Sequence, residues 1–579
     1  MPDIEVLKFG SSVLRSPGDL YVAVDEIYRR WRGGYRVLAV VSAFEGITDA
    51  LMAEVADVPE ADCPEATAAY VATGEQRTAA LLAGSLHNSG IPSRMIDPRE
   101  IGLIAEGSFT ESTPVRVNVD ALDELWSAHA VLVLPGFYGI DSEGRIALFG
   151  RGGSDLSALF LAAALGAECR LQKDVNGVYD ADPASSTLAH RFSALSWERA
   201  IQVAGPLIQP KALRFAQSRA LPFDVGRPNE ATGTRIGHTH DEWAPPAASA
   251  RPIGIALVGC GTVGRGVYEA VRRYSQAFEL RHVVVREAER YAGVEHLTTD
   301  PAVIFEANVD VVIICTTANP LSFPLIAAAL NAGKFVITAN KAAVAAHGPR
   351  LAGHARGEGR RLWYSAAVGG ALPVLETLAT LPSPVQEIRG IINGTCGVVL
   401  DQWAAGKTQR DAVALAQAAG FAEANPTHDL SGGDSADKLV LMMEAAFGQW
   451  LAPEDIPTSG IDTITGDPSG YKLIARARRT PHGICASVAP ETPLPHSFLG
   501  QARGASNRLE IELESGELIR LQGQGAGRWP TTVSVMGDLH EVARHIENTK
   551  QQRKDLRHQW KSVEVPESGK KLMSSDTGP

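Results

Sequence analysis

Through the first 237 residues, short β-branched and aliphatic runs such as Val37–Val41 and Ala130–Leu134 alternate with Ala- and Leu-rich stretches of helical length. That alternation predicts parallel strands joined by crossover helices. The rhythm stops at DEWAPPAASARP (241–252), which is rich in Pro, Ala and Ser, has no period, and predicts a linker within 238–252. A second strand–helix unit opens at Ile253, where IGIALVG runs into a Gly-rich turn and a helix reaching about Arg273. Further strands are expected at Leu280–Val285, Val309–Cys315 and Lys334–Ile337, with a helix at Leu321–Ala332. Beyond residue 385 the pattern changes: helices at Thr408–Ala419 and Ser435–Phe447 mix with strands at Arg508–Leu513 and Leu518–Gly523. From about residue 546 to 579 the chain is polar and charged, which predicts a frayed helix or a disordered tail.

With 579 residues the chain is too long for one core, and several domains are expected. Its 54 Lys+Arg against 66 Asp+Glu give −12, which argues against nucleic acid or an anionic membrane as partner. The six cysteines stand singly, without CxxC spacing, so neither a zinc site nor a disulfide framework is expected and no metal-ligating residue is assigned. Met1 leads into Pro-Asp-Ile-Glu, not a basic-then-apolar leader, and no apolar run is long enough to span a bilayer. The expectation is a cytoplasmic protein.

Two Gly-rich turns follow strands. In Lys8-Phe9-Gly10-Ser11-Ser12, backbone N–H groups of Gly10 and Ser11 can close around phosphate oxygens while Lys8 neutralises them. A strand-end Lys beside Gly is usually only a surface turn, so the reading leans on other segments. Gly150-Arg151-Gly152-Gly153-Ser154-Asp155 opens a helix at Leu156–Leu165, offering N–H groups for phosphate and a guanidinium for carboxylate. Lys173-Asp174-Val175-Asn176-Gly177-Val178-Tyr179 then leads to Asp182-Pro183, a strand–turn segment able to border a nucleotide.

KFGSSV, VVSAFEGITD (40–49), ATGEQRT (72–78), GRGGSD (150–155) and KDVNGVYDADP (173–183) together resemble aspartate kinase of the amino-acid kinase superfamily, over residues 4 to about 237. The resemblance implies an αβα sandwich that binds ATP with Mg²⁺ and phosphorylates the β-carboxylate of L-aspartate. It assigns Lys8 to the phosphates, Arg151 to the α-carboxylate, with Asp155 beside them, and Glu75 to the substrate ammonium; Asp174, Tyr179 and Lys211 would border ATP. Such a transfer asks mainly for positioning and charge neutralisation. KFGSSV is one residue shorter than the family's KFGGTSV, Asn176 replaces an Asp, and Gln209 replaces the His before Pro210.

Gly259-Cys260-Gly261-Thr262-Val263-Gly264 follows a strand and opens a helix, the context in which this spacing cradles a dinucleotide pyrophosphate. The next strand ends in Val285-Arg286-Glu287, with Arg290 nearby; the arginines suit the 2′-phosphate of NADP(H), and Glu287 leaves NAD(H) open. GFAEANPTHDLSGGDSADK (420–438) places Glu423, Asp429, Asp434 and Lys438 close together, the last two at i,i+4 on one helix face. An exposed ion pair is the commoner meaning of that spacing; the acidic, Gly-rich loop before it favours a site.

With ITANK (337–341), AAVGGALP (366–373), IINGT (391–395) and GQGAGRWPTT (523–532), these segments resemble homoserine dehydrogenase from Ile253 to about Arg544. The resemblance implies a Rossmann NAD(P)-binding domain at 253–384, an α+β catalytic and dimerisation domain at 385–545, and hydride transfer between L-aspartate 4-semialdehyde and L-homoserine. It assigns Lys341 and Lys438 to the carbonyl, Glu423 to the substrate ammonium, Asp429 and Asp434 to orientation, Thr395 to substrate, and Thr338, Lys341 and Gly527 to the cofactor side. A lysine that supplies the proton needs a pKa lowered by its site. Ser365 stands where the family usually has a Glu that helps bind a monovalent cation, so that site is expected to be weak or absent.

The expected whole is therefore α/β throughout: a kinase-like αβα sandwich (1–237), then the Rossmann and α+β domains. It would be a bifunctional enzyme of amino-acid biosynthesis acting on small molecules, and a homo-oligomer, dimer or tetramer. Bifunctional relatives carry paired ACT-type modules between their halves, and 238–252 leaves no room for one. The rival readings are a kinase-like half that is a weak scaffold, or one acting on another acidic amino acid.

Overall fold

The computed structural model describes residues 3–57, 63–186, 188–205, 207–230, 232–245, 251–316, 321–354, 361–423 and 425–562. The first half is built on a nine-stranded sheet. Its strand order is Glu242–Trp243, Phe192–Leu195, Thr234–Ile236, Phe223–Gly226, Glu168–Gln172, Ile4–Phe9, Arg36–Val41, Val131–Pro135 and Ser93–Met95. The central pairs are parallel. Because side chains alternate across a strand, two cores form on the two faces. Val6, Leu38, Val40, Leu132 and Leu134 face the helices Gly153–Leu165 and Pro210–Ser218. Leu7, Phe9, Val37, Ala39 and Val133 face the helices Leu20–Arg32 and Pro64–Asn88.

The second unit is a six-stranded parallel sheet in the order Leu297–Thr298, Phe278–Val284, Ile253–Val258, Val311–Ile314, Phe335–Thr338, Leu362–Trp363. A five-stranded antiparallel sheet follows, ordered Gly483–Glu491, Lys472–Thr480, Val385–Ile391, Ser506–Leu513, Leu518–Gln524. The three-part α/β architecture expected from the sequence is the one observed.

Two boundaries differ. Glu242–Trp243 pairs with Phe192–Leu195, and the Trp243 ring stacks on Phe192 at 4.0 Å, so the first residues of the expected linker belong to the first sheet. Part of that linker (246–250) lies outside the described residues. The helix that starts at Arg528 continues to Ser562, past the expected start of the tail; residues 563–579 lie outside the described residues. Among the described residues, no helix is long and apolar enough to cross a membrane.

The halves share packing. Ala371 and Val533, far along the chain, sit in the core formed by Leu20–Arg32 and Pro64–Asn88. Tyr274 of the second half donates to Asp25 and accepts from Asn229 Nδ2 at 3.3 Å.

Candidate functional site

Both candidate sites lie at the carboxyl ends of parallel strands where the strand order reverses, the usual location in open α/β sheets. In the first half, Lys8 and Lys173 emerge at the ends of the neighbouring strands Ile4–Phe9 and Glu168–Gln172. They meet Asp155, in the first turn of Gly153–Leu165, at 2.7 Å and 2.9 Å, and all three side chains are buried. Burial pushes the Asp155 carboxyl up, but Lys173 and Lys8 outweigh it and hold it at about 2. Burial lowers the Lys173 ammonium against the pull of Asp155. Gly10 keeps the turn open beside this cluster, since a Cβ there would stand 3.0 Å from Lys8 Nζ.

Glu75, midway along Pro64–Asn88, accepts from the Gly136 N–H at 3.3 Å, and burial raises its carboxyl to about 7. With Ser11, Ser42, Phe44, Arg151 and Ser154 it lines a cavity of about 530 Å³. Arg151 is exposed at its edge. The other residues assigned to ATP stand further round. Lys211 Nζ pairs with Glu111 at 3.0 Å and donates to the Phe149 carbonyl. The Tyr179 hydroxyl donates to Asn176 at 2.6 Å, and the exposed Asp174 offers its carbonyl to Arg227. Gln209 packs so closely on Gly152 that a Cβ there would be 2.2 Å from its Cγ. Lys173 was not among the expected site residues; its place directly after an apolar strand was the available signal.

In the second half the three glycines of the turn do different work. Gly259 adopts φ +89°, Gly264 packs so tightly that a Cβ would be 2.0 Å from the Gly259 carbonyl, and a Cβ on Gly261 would meet nothing within 4 Å. Space over Gly261 and free N–H groups at the start of Thr262–Arg273 fit a pyrophosphate. Val263 lies in that helix's first turn. Gly527 is exposed just before the helix Arg528–Ser562, which packs on Thr262–Arg273. Arg286 is exposed beyond Phe278–Val284, while Arg290 pairs with Glu287 at 2.7 Å.

The catalytic candidates converge on Asp434. Its two oxygens hold Lys341 and Lys438 at 2.9 Å each, and Asn393 Nδ2 bridges it to Asp429 at 2.7 Å on both sides. Lys438 also donates to the Ile392 carbonyl at 2.8 Å. The Asp434–Lys438 pair is buried, so it is not the surface ion pair that its spacing usually signals. Burial opposes ionisation of Asp434, but Lys438 and Lys341 outweigh it and hold the carboxyl below its ordinary range. Asp429 moves the other way, raised by burial and then by Asp434. Beside this cluster, His428 meets Asp437 at 2.9 Å at the edge of a cavity of about 650 Å³.

Four expected residues have settings that their spacing did not show. Asp434 stabilises the Lys341 ammonium and raises its pKa. Thr338 is fully buried with its hydroxyl on the Ile314 carbonyl (3.2 Å) and the Asn340 N–H (3.1 Å), so it braces the strand end. Thr395 commits its hydroxyl to the Phe421 carbonyl at 2.7 Å. Glu423 lies exposed on the turn after Gln409–Ala418, its carbonyl accepting from Gln417 at 2.9 Å. Asn393, which links both aspartates, was missed as a site residue; its position as cap of the helix Gly394–Ala404 was legible.

Three family models match successive parts of the chain: the amino acid kinase family (residues 3–223), the homoserine dehydrogenase NAD binding domain (259–365) and homoserine dehydrogenase (373–540). The chain is 32% identical over 319 residues to the homoserine dehydrogenase of Pseudomonas aeruginosa, covering 51% of this chain and 73% of that relative. It is 34% identical over 323 residues to the homoserine dehydrogenase of Corynebacterium glutamicum, covering 51% and 72%. A homoserine dehydrogenase crystal structure from Thiobacillus denitrificans aligns at 32% identity with a TM-score of 0.48, over 51% of this chain and 73% of that one. The dinucleotide turn, the buried Asp434 cluster, the family models and the two sequence relatives agree: the chain belongs to the homoserine dehydrogenase family and carries an amino acid kinase family domain ahead of its dehydrogenase domains.

Proposed function

We propose that the chain catalyses two reactions: NAD(P)-dependent interconversion of L-homoserine and L-aspartate 4-semialdehyde, and ATP-dependent phosphorylation of the L-aspartate β-carboxylate. The observation that carries the first is Asp434 holding two ammonium groups side by side. Bound nicotinamide supplies the hydride acceptor or donor. Lys341 and Lys438 place positive charge where the substrate oxygen alternates between carbonyl and alkoxide, and Asp434 keeps both aimed. With its pKa raised by Asp434, Lys341 stays an ammonium at neutral pH and acts on the oxygen as a fixed positive charge; homoserine oxidation, which releases a proton, gains from alkaline pH. Exposed Arg286, with Glu287 already paired to Arg290, supports NADP(H) over NAD(H).

For the kinase half, the reading rests on two lysines around Asp155, with Glu75 and Arg151 bordering one cavity. Lys8 and Lys173 would neutralise the phosphates, and the ammonium and α-carboxylate of the acceptor suit Glu75 and Arg151. Gln209 over Gly152 and Glu111 beside Gly150 favour a second reading, in which the acceptor is another acidic amino acid or turnover is slow. The test is ATP-dependent hydroxamate formation from L-aspartate with hydroxylamine, wild type against Lys8→Ala. Product that depends on Lys8 supports the first reading. Product only with another acid supports the second. No product with any acid, while homoserine oxidation proceeds, leaves a scaffold.

A further inference from the structure

We infer that Arg32, carried by the kinase-like half, is a positioning residue for the dehydrogenase reaction; the inference rests on the dehydrogenase reading above. The helix Leu20–Arg32 starts shortly after the Gly10–Ser12 turn, and its last residue enters the other half of the molecule. There the buried Arg32 guanidinium donates to Ser365 Oγ at 3.2 Å and pairs with Glu376 at 2.7 Å, Glu541 at 3.1 Å, and Asp538. Asp538 accepts from the Ser365 N–H at 3.2 Å, and the Ser365 hydroxyl donates to Glu376 at 2.5 Å. One guanidinium thus balances three carboxylates around the first turn of the short helix Ser365–Val368. Without it the buried Asp538 and the mostly buried Glu376 face each other and the half-exposed Glu541 with less positive charge between them, and the turn they hold loses its anchor.

That turn leads to the dehydrogenase site. Ala367, Val368 and Leu372 pack in the same core as Ala343 and Val344, next to Lys341, and as Ala436 and Leu439, which flank Asp434 and Lys438. The kinase half holds the segment at a second point. The helix that carries Glu75 ends at Asn88, and two residues on, at Gly90, a Cβ would stand 3.0 Å from Ala371, 3.1 Å from Gln524 and 3.2 Å from Pro530. Tyr28, one turn before Arg32, lies against Gly537. Segment 365–373 is therefore gripped from outside by the first half and backs the catalytic lysines inside.

The test uses the full chain with Arg32→Ala, reading homoserine-dependent reduction of NADP⁺ and thermal melting together. The expected result is a folded enzyme with kcat down by about tenfold or more, as sub-ångström misplacement produces. Millimolar guanidinium is expected to restore part of that loss in the variant and none in the wild type; Arg32→Lys, with one point charge, recovers little. Tyr274→Phe breaks the Asp25 and Asn229 bonds at the same interface and should lower melting without changing kcat or KM. If Arg32→Ala does not fold, Ser365→Ala, which keeps every charge, is read in the same way. Wild-type kinetics in the folded Arg32 or Ser365 variant overturn the inference, as does an equal kcat loss in Tyr274→Phe. A wild-type chain inactive on homoserine would instead overturn the dehydrogenase reading.

Discussion

Glu75 and Asp434 are both buried carboxylates, and their neighbours send them in opposite directions. Glu75 has backbone N–H partners and a more distant Lys8, so desolvation wins and its carboxyl rises to about 7. Asp434 touches two ammonium groups, so charge wins over desolvation. For Glu75 the consequence is a pH-dependent acceptor site: KM for L-aspartate should fall as pH rises through about 7, and Glu75→Gln should abolish that dependence, read from hydroxamate kinetics across pH. The same shift makes the folded state bind a proton that the unfolded chain releases, so this group's contribution to stability declines between pH 4.5 and about 7. Asp434→Asn keeps the shape but removes the shared counter-ion. It should lower kcat for homoserine oxidation by about a hundredfold and destabilise the fold by about 3 kcal/mol, measured by steady-state kinetics and denaturant melting.

At the scale of elements, the dinucleotide turn depends on contact as much as on conformation. Gly264→Ala drives a methyl into the Gly259 carbonyl, so dinucleotide affinity should fall by about tenfold or more, read by fluorescence titration. Turns of this kind were legible because glycine spacing after an apolar strand has few other uses. The i,i+4 spacing of Asp434 and Lys438 was also legible, but their burial was not, because burial depends on what packs over the helix. Lys173 and Asn393 escaped because each gains its role from a residue far away in sequence: Asp155 for one, Asp429 and Asp434 for the other. The settings of Thr338 and Thr395 were hidden for the same reason: the carbonyls that accept from their hydroxyls lie 24 and 26 residues away. The Glu242–Trp243 strand was hidden because two residues carry no periodicity; its pairing with Phe192–Leu195 and the stacking of Trp243 on Phe192 identify it.

For the whole molecule, sequence reading gave two halves and a linker but nothing of the surface they share. Ala371 and Val533 complete a core in the first half, and Arg32 completes a charge cluster in the second. Calorimetry should therefore show one cooperative transition in which both activities vanish together; two separated transitions would mean that the halves fold independently. The helix Arg528–Ser562 has a further consequence for how the protein is made. Asp538 and Glu541 meet Arg32 across sequence separations of 506 and 509 residues. During synthesis the first half leaves the ribosome long before these partners exist, and domains ordinarily fold as they emerge. The guanidinium must wait, solvated, until the helix Arg528–Ser562 has been made, so a polypeptide cut short before that helix exposes the cation and the apolar face that Val533 covers. The helix Arg528–Ser562 thus closes late in synthesis a surface that the first half presents early.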